Sequence, residues 1–249
     1  MTAGYESREA REQYLFFHYG QPREYLPYPN GPHDAIGYPW RAVEALLHPE
    51  LLPASARALD LGCAVGRSSF ELSRSCRHVV GIDLSRSFIR AAQTMKRNQG
   101  MTFAYTVEGA TRRTTRLRLP RGVHPDRVVF RVGDAQALPS RLGRFDVALL
   151  LNLIDRLPDP AVALQRLIDD HLNPGAQLLM ASPYTWLAEY TPPSRQLGGT
   201  PACSTFDALR DLLAPRFRLL KRVQLPFLIR EHARKYQWSM AEGTAWRMR

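Results

Sequence analysis

The sequence predicts an α/β protein with a doubly wound, mostly parallel sheet of seven strands. A helical lid precedes the sheet and a β-hairpin is inserted in it. Three observations predict this. From residue 57 onward short apolar runs alternate with helix-like stretches. The runs are apolar throughout, as strands buried on both faces of a parallel sheet are. Acidic residues fall at or just past the ends of three runs, at Asp60, Asp83 and Asp134.

Residues 1–50 form the lid segment. The stretch 6–19 reads as an amphipathic helix stopped by Gly20, since glycine ends helices readily. Residues 21–39, rich in Pro, Gly and Tyr, read as a loop. Residues 41–47 read as a second helix, ended by His48-Pro49. The main domain spans 51–249. Its expected strands are 58–61, 79–82, 128–132, 145–151 and 176–181, with two closing strands at 217–223 and 227–238. Its expected helices are 67–75, a helix capped by Ser85 and running to Asn98, 160–171 and 206–213. Alternating stretches at 102–106 and 114–119 flank Glu108-Gly109, which predicts a hairpin inserted at about 101–122.

The chain has 249 residues, 45% hydrophobic and 23% charged, the composition of an ordinary globular domain. There is no apolar run of about 18 residues that would span a membrane. Residues 1–10 are polar, without the apolar core of a secretion signal. Cys63, Cys76 and Cys203 form neither a disulfide framework nor a zinc pattern, so a cytoplasmic protein without a metal is expected. The net charge of +11 raises nucleic acid as a partner. Only three of the 34 basic residues are lysines, and the arginines are scattered apart from those between 112 and 121, so binding to nucleic acid is not expected.

In an open α/β sheet, ligands bind beyond the carboxyl ends of the strands, where the strand order reverses. The turn Asp60-Leu-Gly62-Cys-Ala64-Val-Gly66 lies at such an end, and Asp83 follows it by 23 residues. That spacing suits a carboxylate that accepts both ribose hydroxyls. A dinucleotide turn needs a third glycine, and Arg67 stands in its place. Asp60, two residues before the first glycine, would repel a pyrophosphate but could face the cationic amino-acid end of S-adenosylmethionine (SAM). The expected cofactor is therefore SAM, held by Asp60, Gly62, Ala64, Gly66, Asp83, Leu84, Asp134, Ala135 and Asn152.

These residues resemble the class I SAM-dependent methyltransferases. Four segments carry a narrower resemblance: Tyr14-Leu-Phe-Phe-His-Tyr-Gly20, Ala58-Leu-Asp-Leu-Gly-Cys-Ala-Val-Gly-Arg-Ser-Ser-Phe-Glu-Leu72, Pro183-Tyr-Thr-Trp-Leu-Ala-Glu-Tyr-Thr191 and Pro226-Phe-Leu-Ile-Arg-Glu-His-Ala-Arg-Lys-Tyr-Gln-Trp238. They are similar to the methyltransferase of ovothiol biosynthesis, which methylates a ring nitrogen of 5-thiohistidine (4-mercaptohistidine). That family often forms the C-terminal domain of a larger sulfoxide synthase. The resemblance implies a stand-alone methyltransferase supplied with 5-thiohistidine by a separate synthase.

An imidazole nitrogen already holds a lone pair in the ring plane, so the site must align the ring and need not deprotonate it first. Asn152, Asp155 and Tyr184 are the catalytic candidates. Asp155 either reaches the acceptor or caps the next helix. Tyr184 and Trp186 either wall the acceptor or pack a surface hairpin onto the core. Tyr14, His18 and Tyr19 either close over the ligands or staple their helix to the sheet. Arg230 and His232 either bind a substrate carboxylate or line a solvated strand face, with Lys235 on the opposite face. Two other classes compete: an RNA or protein methyltransferase using the basic surface, and a non-catalytic SAM-binding subunit.

Overall fold

The computed structural model describes residues 3–249. Met1 and Thr2, part of the stretch expected to lack a secretion signal, lie outside the described residues. The segment expected to act as a lid holds α1 (Ala3–Glu6), α2 (Arg8–Tyr19), α3 (Pro22–Tyr25) and α4 (Tyr38–Leu46). The sheet begins with β1 (Arg57–Leu61), α5 (Arg67–Leu72), β2 (His78–Asp83) and α6 (Arg86–Asn98). The inserted hairpin, β3 (Gly100–Glu108) and β4 (Thr111–Arg118), forms a small sheet of its own. Then follow β5 (Val128–Val132), β6 (Phe145–Leu151), α7 (Pro160–His171), β7 (Leu172–Ser182), α8 (Thr205–Leu213), β8 (Phe217–His232) and β9 (Lys235–Met248).

The seven-stranded sheet has the order β5-β2-β1-β6-β7-β9-β8. The first five of these strands are parallel, and β9 and β8 close the sheet antiparallel. The chain winds outward from β1 through β2 to β5, then returns to lay β6 against the other side of β1. The order therefore reverses between β1 and β6, where a crevice opens at the carboxyl ends.

Strand alternation sends side chains to two cores. Val147 and Leu149 of β6 join the core under α2, α4, α5 and α6. Ala148 and Leu150 join the opposite core, with Leu164, Leu167 and Ile168 of α7 and Leu209 and Leu213 of α8. Each fully buried aliphatic side chain stabilises the fold by roughly 1.5–3 kcal/mol. Helix starts follow local chemistry: Ser85 Oγ accepts the Phe88 N–H and Asp159 accepts the Val162 N–H.

The structure corrects three expectations. The first helix is broken at Ser7, whose extended backbone and side chain cap α2 at Ala10. The expected loop at 21–39 holds the helical turn α3, and α4 starts at Tyr38. The closing strands are longer and divided elsewhere. β8 continues through Pro226, which the sheet tolerates because β8 is an edge strand. Lys235 thus begins β9, opposite His232, and a bulge separates Arg230 from His232, so simple alternation does not place them on one face.

Candidate active site

A cavity of about 340 Å³ lies over the reversal point, within the size range of small-molecule sites. Its floor is built by the loops that leave β1, β2, β5 and β6. Gly62 and Ala64 line it from the first loop, Asp83 and Leu84 from the second, Asp134 and Ala135 from the third, and Asn152 from the fourth. The first loop is tight. Gly62, Ala64 and Gly66 all have positive φ, at 71°, 47° and 89°. Gly66 does not line the cavity; a Cβ there would lie 2.5 Å from Phe130 Cζ, so glycine allows α5 to pack onto the sheet.

Asp83 accepts the Ala64 N–H at 2.9 Å and the Ser85 N–H at 2.8 Å, which ties the first two loops together. Burial raises its carboxyl above the usual range, against the lowering effect of those two N–H groups. Leu84 remains 51% exposed at the cavity wall. A carboxylate at a strand end, an uncovered leucine beside it and a backbone loop of small residues are a set that fits the ribose, adenine and amino-acid parts of SAM.

The roof comes from the lid segment. Tyr5, Tyr14, Phe17, His18 and Tyr38 face the floor. The Tyr14 ring packs against Phe88 at 4.8 Å and Tyr5 at 6.0 Å. Glu6 accepts the N–H groups of Arg86 and Ser87 at the start of α6, and Ser85 Oγ donates to the Tyr5 carbonyl. His18 Nδ1 accepts the Arg67 N–H at 3.4 Å. Burial, with the nearby Arg67 guanidinium adding to it, holds this imidazole down at about 3, so the ring is neutral with its proton on Nε2.

Eight of the residues expected at the site stand elsewhere or serve another contact. Asp60 is turned inward, accepting Ser69 Oγ at 2.5 Å and Ser68 Oγ at 2.7 Å. Burial pushes its carboxyl up to about 6, although both hydroxyls work against this. It ties β1 to α5 and does not line the cavity. Gly66 acts through packing, as above. Tyr19 donates to the Val65 carbonyl at 2.8 Å and fastens α2 to the first loop.

Asp155 is fully buried behind the wall, where it accepts the Thr185 N–H and pairs with Arg156; Asp159 caps α7 instead. Tyr184 donates to Glu242 and Trp186 to Thr205, both packed on the opposite core. The Arg230 guanidinium lies against the stacked Phe16 and Tyr105 rings and donates to the Thr106 carbonyl, which docks the hairpin. His232 accepts the Arg234 N–H in the β8–β9 turn.

Conversely, Tyr5, Phe17, Tyr38, Phe88, Arg156 and Tyr190 line the cavity without having been singled out from the sequence. Gly37-Tyr38-Pro39 carries a usable signal, because a proline in the first helical turn marks a helix start. Tyr190 comes from the same loop as Tyr184, further along it.

Comparison with known proteins agrees with this geometry. A family model described as "Methyltransferase domain" matches residues 33–245. Ubiquinone biosynthesis O-methyltransferases are similar over part of the chain. The one from Xanthomonas axonopodis pv. citri is 26% identical over 132 residues, 53% of this chain and 45% of its own length. That of Marinobacter nauticus is 27% identical over 129 residues, 52% of this chain and 44% of its own. The chain thus matches less than half the length of these relatives.

Among solved structures, magnesium protoporphyrin IX methyltransferase from Synechocystis, with bound S-adenosylhomocysteine (SAH), superposes with TM-score 0.55 at 14% identity, covering 99% of this chain and 97% of its own. The N-methyltransferase NodS from Bradyrhizobium japonicum, also with SAH, gives 0.52 at 15% identity, covering 96% of this chain and 98% of its own. At such identities the likeness concerns the fold. Among the described residues no helix is long and apolar enough to cross a membrane. The chain belongs to the methyltransferase-domain family, the class I enzymes that take their methyl group from SAM.

Proposed function

We propose that this chain methylates a ring nitrogen of 5-thiohistidine. One observation carries the reading. Each of the four segments that resemble the ovothiol methyltransferases lends residues to the same cavity: Tyr14, Phe17 and His18 from the first, Gly62, Ala64 and Ser68 from the second, Tyr190 from the third and Ile229 from the fourth. When bound, SAM supplies an electrophilic sulfonium methyl. The protein's part is to align the acceptor lone pair and exclude water. Aromatic walls formed by Phe17, Tyr38 and Tyr14 suit a small flat ring.

The partial relatives, named O-methyltransferases, favour a second reading, methylation of an oxygen such as a hydroxyl. A hydroxyl must lose its proton during transfer, and this calls for a base that titrates near neutrality. His18 is held neutral at about 3, which makes it a poor base. Its state suits an acceptor that already owns a lone pair.

The test is mass spectrometry of methyl incorporation from SAM into 5-thiohistidine, histidine, catechol, a histidine-containing peptide and transfer RNA. The expected result is preference for 5-thiohistidine, with a mass shift on a ring nitrogen. Preference for catechol, peptide or RNA would overturn the reading. Methylation on sulfur would overturn the acceptor atom and keep the reaction class.

A further inference from the structure

We infer that Tyr38 is a positioning residue that turns the Asn152 amide N–H groups toward the cavity. This end of the site then takes an acceptor by a lone pair or anionic atom and disfavours one that arrives with an N–H or O–H donor. The inference rests on the methyl-transfer reading.

Asn152 directly follows β6 with φ at 51°, a left-handed backbone that asparagine tolerates better than most residues. Its own N–H donates to the Ala181 carbonyl at 2.7 Å, so the backbone is fixed. The Tyr38 hydroxyl donates to Asn152 Oδ1 at 2.8 Å. Tyr38 is 1% exposed, and its hydroxyl has no other partner among the described residues. A buried hydroxyl must place its proton somewhere, and only the amide oxygen is offered. This decides the orientation of the amide. Nδ2 then carries two N–H groups with no protein partner among the described residues, on a side chain that lines the cavity.

Tyr38 itself is firmly held. It begins α4 after Gly37, whose φ is 73° and where a Cβ would run into the Trp40 indole. Its ring packs against Phe227 at 5.0 Å and Phe17 at 6.1 Å. Two other groups on the cavity also carry N–H donors. His18 spends Nδ1 on the Arg67 N–H and so offers an N–H at Nε2. Arg156 brings a guanidinium. Asp83 and Asp134, the carboxylates there, accept backbone N–H groups, Asp83 from Ala64 and Ser85 and Asp134 from Gln136. A site built for an acceptor atom leaves its N–H groups unpaired when a donor occupies it, and such mismatches give large discrimination.

The experiment starts with calorimetry of SAH binding to the whole chain. No binding would mean that the methyl-transfer reading has failed, independently of this inference. The SAH complex is then titrated by NMR with thiazole, a five-membered ring that offers a lone pair, and with pyrrole, which offers an N–H. Wild type should prefer thiazole by about tenfold or more. Asn152→Asp should reverse the preference, because a carboxylate only accepts. Tyr38→Phe should erode it and raise KM for 5-thiohistidine, with SAH affinity within about twofold of wild type. Equal or absent binding of the two probes to the wild-type complex would overturn the inference. So would an unchanged preference in an Asn152→Asp variant that still binds SAH. Should that variant fail to fold, the wild-type preference and the gentler Tyr38→Phe substitution still decide the matter.

Discussion

The floor of the cavity is made by four loops at strand ends, whereas its roof is assembled from aromatic side chains of α1, α2 and α4. On the floor, backbone does most of the work: the tight turn from Gly62 to Gly66 and the Asp83 carboxylate that binds two backbone N–H groups. On the roof, rings pack on rings, and a few polar contacts fasten the lid: Tyr19 to the Val65 carbonyl, Glu6 to the start of α6, His18 to Arg67 and Tyr38 to Asn152. The difference separates two tasks. Parts fixed by parallel strands suit recognition of an invariant donor, while side chains on a docked segment suit closure and choice of acceptor.

The largest effect is expected on the floor. Asp83→Ala should weaken SAM binding by about 1–3 kcal/mol, the cost of losing charge-assisted hydrogen bonds. Calorimetry checks this, and an unchanged affinity would move donor recognition from floor to roof. The next concerns the joint between the two. The His18 imidazole is held at about 3 in the fold against an ordinary 6.5, so the unfolded chain takes up the proton first. Its contribution is present above pH 6.5 and is lost as the pH falls from there toward 3. Between about pH 8 and pH 5, wild type should lose about 2 kcal/mol more stability in urea unfolding than His18→Gln. Parallel curves for the two proteins would show that the roof is not anchored through this ring. The smallest effect belongs to the outer latch. Glu6→Ala removes a carboxylate from the N-terminal end of α6, worth about 0.5–1 kcal/mol. Stopped-flow release of SAH should quicken by about two- to fivefold, and release at the wild-type rate would remove Glu6 from lid closure.

These two regions also differ in how far they could be read beforehand. The floor was legible because its signals are local. Asp83 and the Ser85 cap lie two residues apart, and the Gly62–Gly66 turn requires positive φ within five residues. The inserted hairpin was legible from its alternation. Asp60 was the exception on the floor: it sits in the expected place, but strand alternation and the hydroxyls of Ser68 and Ser69 turn it inward. The loop after β7 was expected to bring aromatics to the ligand. It turns Tyr184 and Trp186 to Glu242 and Thr205 and delivers Tyr190 instead. A loop's composition does not say which of its rings faces the cleft.

The sequence by itself determined the parallel sheet, the tight turn after its first strand and the acidic strand ends, because apolar runs, turn residues and helix caps act over a few residues. Only the tertiary structure decided that Tyr38 meets Asn152 across 114 positions of chain, that Arg230 packs against the stacked Phe16 and Tyr105 rings, and that β8 runs on through Pro226. These depend on which surfaces bury one another. A proline is tolerated because its strand is outermost, and a guanidinium is buried because two stacked rings from distant elements pack against it. Long-range burial of this kind leaves no mark in the local pattern of residues.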